Sequence, residues 1–154
     1  MKTKAFTLIE LLVASAIIMI ITGFGLAGWT RFREKALINS VADQLRTELR
    51  LVRSRAINGE KPSTDCETLD GYMVRESGGN LEVVVCCDGS CSSVVETIQI
   101  SDQIEDKSFS NFPVTFLSLS GVAEISGGES QATIELIYHD LTWIITISSS
   151  GEIE

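Results

Sequence analysis

The sequence predicts an α+β protein in which one long N-terminal helix, membrane-spanning in its first half and amphipathic in its second, packs on a small antiparallel β-sheet head. Three observations carry that prediction. Apolar residues are concentrated at the N-terminal end, helical three-and-four spacing continues beyond them, and after Pro62 the pattern becomes short β-like runs separated by turn residues. A chain of 154 residues has room for one folded head with a modest core.

The helix comes first. From Phe6 to Trp29 the only ionisable group is Glu10, and a helix of that length runs roughly 36 Å, enough to cross a bilayer. A secretory signal peptide has a shorter apolar core followed by small residues at a cleavage site, whereas this run leads straight into an amphipathic segment, so its wholesale removal is not expected. Gly23, Gly25 and Gly28 interrupt the run, each at about 1 kcal/mol relative to alanine. They read equally as a hinge or as points of close helix approach. Leu37 or Ile38, Val41, Leu45, Leu49, Val52 and Ala56 then form a helical stripe. Asn58-Gly59 supplies the stop and Pro62 prevents continuation, so the helix is predicted to end at about Asn58.

Strands follow at Gly71 to Arg75, Leu81 to Cys87, Val94 to Ile100, Val114 to Leu119, Thr133 to Tyr138 and Thr142 to Ile147. Gly78-Gly79-Asn80 and Asp88-Gly89 read as hairpin turns, and connections this short imply antiparallel pairing. The apolar face of such a sheet needs a cover, which the stripe from Val41 to Ala56 supplies.

Charge divides as sharply as hydropathy. Between positions 31 and 61, eight Lys and Arg residues oppose four acids, a net +4; from Pro62 onward only Arg75 and Lys107 oppose sixteen acids, a net −14. A head this acidic repels nucleic acid. Cys66, Cys86, Cys87 and Cys91 all lie beyond the apolar segment, where export favours two disulfides. A zinc cluster is the weaker reading, because there is no second close pair and His139 is distant in sequence. Adjacent Cys86 and Cys87 should point to opposite faces of a strand, one reaching Cys91 and the other Cys66; the expected pairing is Cys66–Cys86 with Cys87–Cys91.

No motif of a hydrolase, zinc protease, phosphate loop or dinucleotide site is present. His139, beside Asp140 in an expected turn, reads as solvated surface, and Glu105-Asp106 as the chance product of an acidic composition. No catalytic residue, cofactor or metal is assigned, and calcium binding through the acids from Asp102 to Asp106 is left open, with no spacing that specifies it.

Glu10 stands apart. A carboxylate in an apolar helix costs about 2.5 to 3.5 kcal/mol on insertion scales and calls for a partner that its own chain does not visibly offer. The string Lys2-Thr3-Lys4-Ala5-Phe6-Thr7-Leu8-Ile9-Glu10-Leu11-Leu12-Val13 resembles the leader and N-terminus of type IV pilins and type II secretion pseudopilins. The resemblance implies cleavage between Ala5 and Phe6 by a prepilin peptidase and methylation of the new amine, with alanine standing where the family usually has glycine. It implies that Glu10 neutralises the N-terminal amine of a neighbouring subunit in the filament core. Leu49-Arg50-Leu51-Val52-Arg53-Ser54-Arg55-Ala56-Ile57 and Trp143-Ile144-Ile145-Thr146-Ile147 with Gly151-Glu152-Ile153 are similar, more loosely, to H-type minor pseudopilins.

The chain then divides into a leader over 1–5, a transmembrane and filament-core helix over 6–29, and an exported head over 30–154 that includes the amphipathic helix 30–58, in the pilin fold. Implied partners are other pilin or pseudopilin subunits, the prepilin peptidase, the inner-membrane assembly platform and, before assembly, membrane lipid. Implied localisation is a single pass through the cytoplasmic membrane with the head exported, then a filament in the periplasm or at the cell surface. Pilus and secretion pseudopilus both remain open. The alternative, a DNA-binding minor pilin, is disfavoured by the acidic head.

Overall fold

The computed structural model describes the backbone of residues 7–62 and 66–154, and their side chains except those of 24–28. The fold is α+β, a long N-terminal helix followed by an antiparallel head. Two compact units are distinguished, Met1–Leu37 and Ile38–Glu154.

Helix α1 (Leu8–Asn58) stays helical through Gly23, Gly25 and Gly28. It ends as Asn58-Gly59 and Pro62 predict. Gly59 takes the left-handed conformation at φ +64°, its N–H donates to the Ala56 carbonyl at 3.0 Å, and the Glu60 N–H donates to the Arg55 carbonyl at 3.0 Å. Those two bonds are a Schellman cap, which satisfies carbonyls the helix leaves open.

Eight strands follow: β1 (Leu69–Ser77), β2 (Asn80–Cys87), β3 (Ser90–Ile98), β4 (Asp106–Ser110), β5 (Val114–Leu117), β6 (Ala123–Ile125), β7 (Gln131–Tyr138) and β8 (Leu141–Ser148). They form two antiparallel sheets, ordered β3-β2-β1-β5-β6 and β4-β7-β8. The second sheet and strands β4 and β6 go beyond the single six-stranded expectation. β4 reads Asp-Lys-Ser-Phe-Ser and β6 has three residues, so neither carries enough apolar alternation to announce itself. The predicted β5 end at Leu119 also shortens, because Leu119 turns at φ +63°.

Both glycine-marked hairpins close through two-residue turns, with Gly78 and Gly79 between paired Ser77 and Asn80, and Asp88 and Gly89 between paired Cys87 and Ser90. All four turn residues have φ between +53° and +78°, the geometry that matches the twist of the flanking strands. That register overturns the expected cysteine pairing. A turn closed by Cys87 and Ser90 puts Cys86 directly opposite Cys91, and the bonds are Cys86–Cys91 and Cys66–Cys87.

Within the unit Ile38–Glu154, Ile38, Ala42, Leu45, Leu49, Val52 and Ala56 are buried at alternating spacings of four and three, and Val41 lies half-buried beside the stripe. The opposing core is built from both sheets, including Leu81, Val83, Phe116, Ile134, Leu136, Ile145 and Ile147. Burying a side chain of this size stabilises by about 1.5 to 3 kcal/mol, so the stripe anchors the helix without help from propensity. Arginines flanking it add polar ties: Arg50 donates to the Ile153 carbonyl at 2.8 Å, Arg53 to the Gly121 carbonyl at 3.1 Å, and Arg55 to the Glu96 carboxylate at 2.6 Å. Arg46 lies over the Trp143 ring, 5.5 Å from its centre.

Candidate functional site

The site built on the helix start is local. Leu8 opens the helix, and the Leu11 N–H donates to the Thr7 carbonyl at 3.3 Å. One oxygen of Glu10, Oε2, accepts the Thr7 N–H at 3.2 Å and the Thr7 hydroxyl at 3.1 Å, while Thr7 Oγ1 lies 3.3 Å from the Glu10 N–H. This is a reciprocal capping box, worth about 0.5 to 2 kcal/mol to the helix start. Glu10 therefore does have a partner in its own chain, contrary to expectation. Its second oxygen, Oε1, accepts no bond from the described residues.

Around that carboxylate the helix is apolar on all sides. Ile9, Val13, Ala14 and Ile17 flank Glu10, and Leu8, Leu11, Leu12, Ile18, Met19, Ile20 and Ile21 are each more than half exposed. An all-round apolar helix belongs in lipid or in the core of a larger assembly. Among the described residues no helix is long and apolar enough to cross a membrane. The expected span over 6–29 falls partly on Phe6 and on the side chains of 24–28, outside what is described, as do Ala5 and the leader.

In the head, the disulfides tie Cys66, beyond the helix exit, to the end of β2, and β2 to β3. Asp88 reinforces the first link by accepting the Thr68 N–H at 2.9 Å, and Asp70 accepts the Gly89 N–H at 2.7 Å. Tyr72 is buried, and its hydroxyl donates to the Glu60 carbonyl at 2.6 Å; burial holds the phenol above its ordinary range. The Glu96 hydrogen bond raises the Arg55 guanidinium, against a smaller opposing effect of burial. On the surface, hydrogen bonding to Arg75 lowers the Glu82 carboxyl.

His139 lies in the β7–β8 turn, half-exposed, with Nε2 3.7 Å from Glu105. Among the described residues no group of three or more His, Cys, Asp or Glu side chains is placed to hold a metal ion. The residues brought together at the N-terminus are thus Thr7 and Glu10, and sequence reasoning had passed over Thr7.

Residues 1–26 match the prokaryotic N-terminal methylation motif. No curated protein and no solved structure matches the chain. The motif, 26 of 154 residues, supports a pilin-like chain processed by prepilin peptidase and assembled with other pilin subunits. Pilin-like proteins of this kind are structural.

Proposed function

We propose that this chain is a structural subunit of a type IV pilus or a type II secretion pseudopilus, closest to the H-type minor pseudopilins, cut between Ala5 and Phe6 and assembled through its N-terminal helix. The observation that carries the reading is the methylation motif over residues 1–26 running into a helix whose turns from Leu8 to Ile21 expose large apolar side chains, in a chain that also carries a disulfide-bonded head. Before assembly the apolar segment sits in the cytoplasmic membrane with the leader inside and the head exported. After assembly the same segment lines the filament core, where Oε1 of Glu10 takes the methylated Phe6 amine of a neighbour while Oε2 keeps its Thr7 cap. Two opposite charges buried together offset part of each other's desolvation.

Mass spectrometry of the filament-associated protein tests this. The expected product starts at Phe6, lacks the first five residues and carries one added methyl; a chain still beginning at Met1 would remove the proposal.

A further inference from the structure

Just past the apolar stretch, Trp29 and Phe32 project from α1 at 61% and 65% exposure, their rings 6.3 Å apart. Arg31, Arg33 and Lys35 interleave with them, all exposed. None of the three joins an ion pair among the described residues, whereas Arg50, Arg53 and Arg55 further along are all committed to the head. We infer that Trp29 to Lys35 form an interfacial collar that binds anionic phospholipid headgroups on the exported side of the membrane. The inference rests on the membrane insertion proposed above.

Depth is the first argument. The 21 residue steps from Leu8 to Trp29 advance about 32 Å along a helix, so the aromatic pair falls where a hydrocarbon layer of roughly 30 Å gives way to headgroups. Amphipathic rings concentrate at that boundary. Azimuth is the second. At about 100° per residue, Arg33 projects near Trp29, while Arg31 and Lys35 project from the opposite side. Glu34, half-buried, projects between Arg33 and Arg31, so the cations lie on two opposed sides of the helix. A protein partner docking on one flank calls for cations on that flank, whereas a headgroup layer surrounds the helix and meets them on both sides. Phosphate-bearing lipids gain from each cation held near the surface.

Orientation is the third argument. With the leader inside, the exported flank carries three cations against Lys2 and Lys4 on the cytoplasmic flank, opposite to the usual bias of charge around a single span. These cations therefore oppose the insertion geometry, and a headgroup contact gives them a use that topology does not.

The full chain with Trp143 replaced by Phe, so that Trp29 is the only indole, is reconstituted in phosphatidylcholine vesicles with added phosphatidylglycerol. Brominated forms of each lipid quench its fluorescence in turn. Phosphatidylglycerol should quench Trp29 about threefold more strongly than phosphatidylcholine at low salt, with the ratio falling to about 1 in high salt. The Arg31→Gln, Arg33→Gln, Lys35→Gln variant should show a ratio of about 1 at any salt. Equal quenching by both lipids in the unsubstituted collar, or a preference that survives the triple substitution, overturns the collar and leaves insertion standing. No quenching by either lipid overturns insertion itself.

Discussion

Glu10 carries two demands that different substitutions separate. Glutamine can replace glutamate in a capping box, so Glu10→Gln removes the charge and keeps the bond to Thr7, whereas Glu10→Ala removes both. If the charge serves assembly, both variants should insert and fold but be excluded from sheared filaments, since deleting one partner of a buried ion pair costs about 3 to 5 kcal/mol. Normal incorporation of Glu10→Gln would reduce Glu10 to a helix cap. Thr7→Ala should do the converse, weakening the first turn by about 1 kcal/mol while leaving the charge in place. The Thr-x-x-Glu spacing was legible in the sequence, but attention to Glu10 as an isolated charge hid it. At Tyr72, Tyr72→Phe should cost about 1 kcal/mol by orphaning the Glu60 carbonyl. Because burial raises the phenol's folded pKa above its unfolded value, the protonated group's contribution is complete below the unfolded pKa and is lost as pH rises through the folded one. Alkaline denaturation of wild type should therefore carry a component, above about pH 10, that Tyr72→Phe lacks.

Among the elements, the helix end and two hairpins could be read directly because Gly59, Gly78, Gly79 and Gly89 sit where the backbone needs positive φ. The cysteine pairing was equally available. A two-residue Asp-Gly turn puts the residues two before and two after it opposite each other, which are Cys86 and Cys91, and the error lay in sorting the cysteines by strand face instead of by register. β4 and β6 were not available, being held in place by their neighbours and not by their own pattern. The two bonds should differ in worth. By loop-closure entropy, removing Cys66–Cys87, with a separation of 21, should cost about 3 kcal/mol, and removing Cys86–Cys91, with a separation of 5, about 2 kcal/mol. Denaturation of the paired Cys→Ser variants measures that order. Where β1 meets β5, a Cβ on Gly71 would come 2.2 Å from the Phe116 carbonyl, a backbone atom that cannot step aside. Gly71→Ala should therefore cost at least as much as a core cavity, on the order of 3 kcal/mol, read in the same denaturation assay.

For the whole molecule, the +4 of residues 31–61 and the −14 of residues 62–154 sum to −10 over residues 31–154. Titration with duplex DNA should accordingly show no retention even at low salt, where phosphate contacts are strongest; tight, salt-sensitive binding would revive the DNA-uptake reading. The burial stripe on α1 has a further, mechanical consequence. Its six side chains, from Ile38 to Ala56, and the bonds from Arg50 and Arg53 to the carbonyls of Ile153 and Gly121 lie side by side along five turns of helix. Tension applied along the helix axis loads them in parallel, as shear, so no single contact bears the force and none can peel away first. A subunit joined to its load in this way should yield late and abruptly under a pull along the axis, and early and gradually under one directed across it.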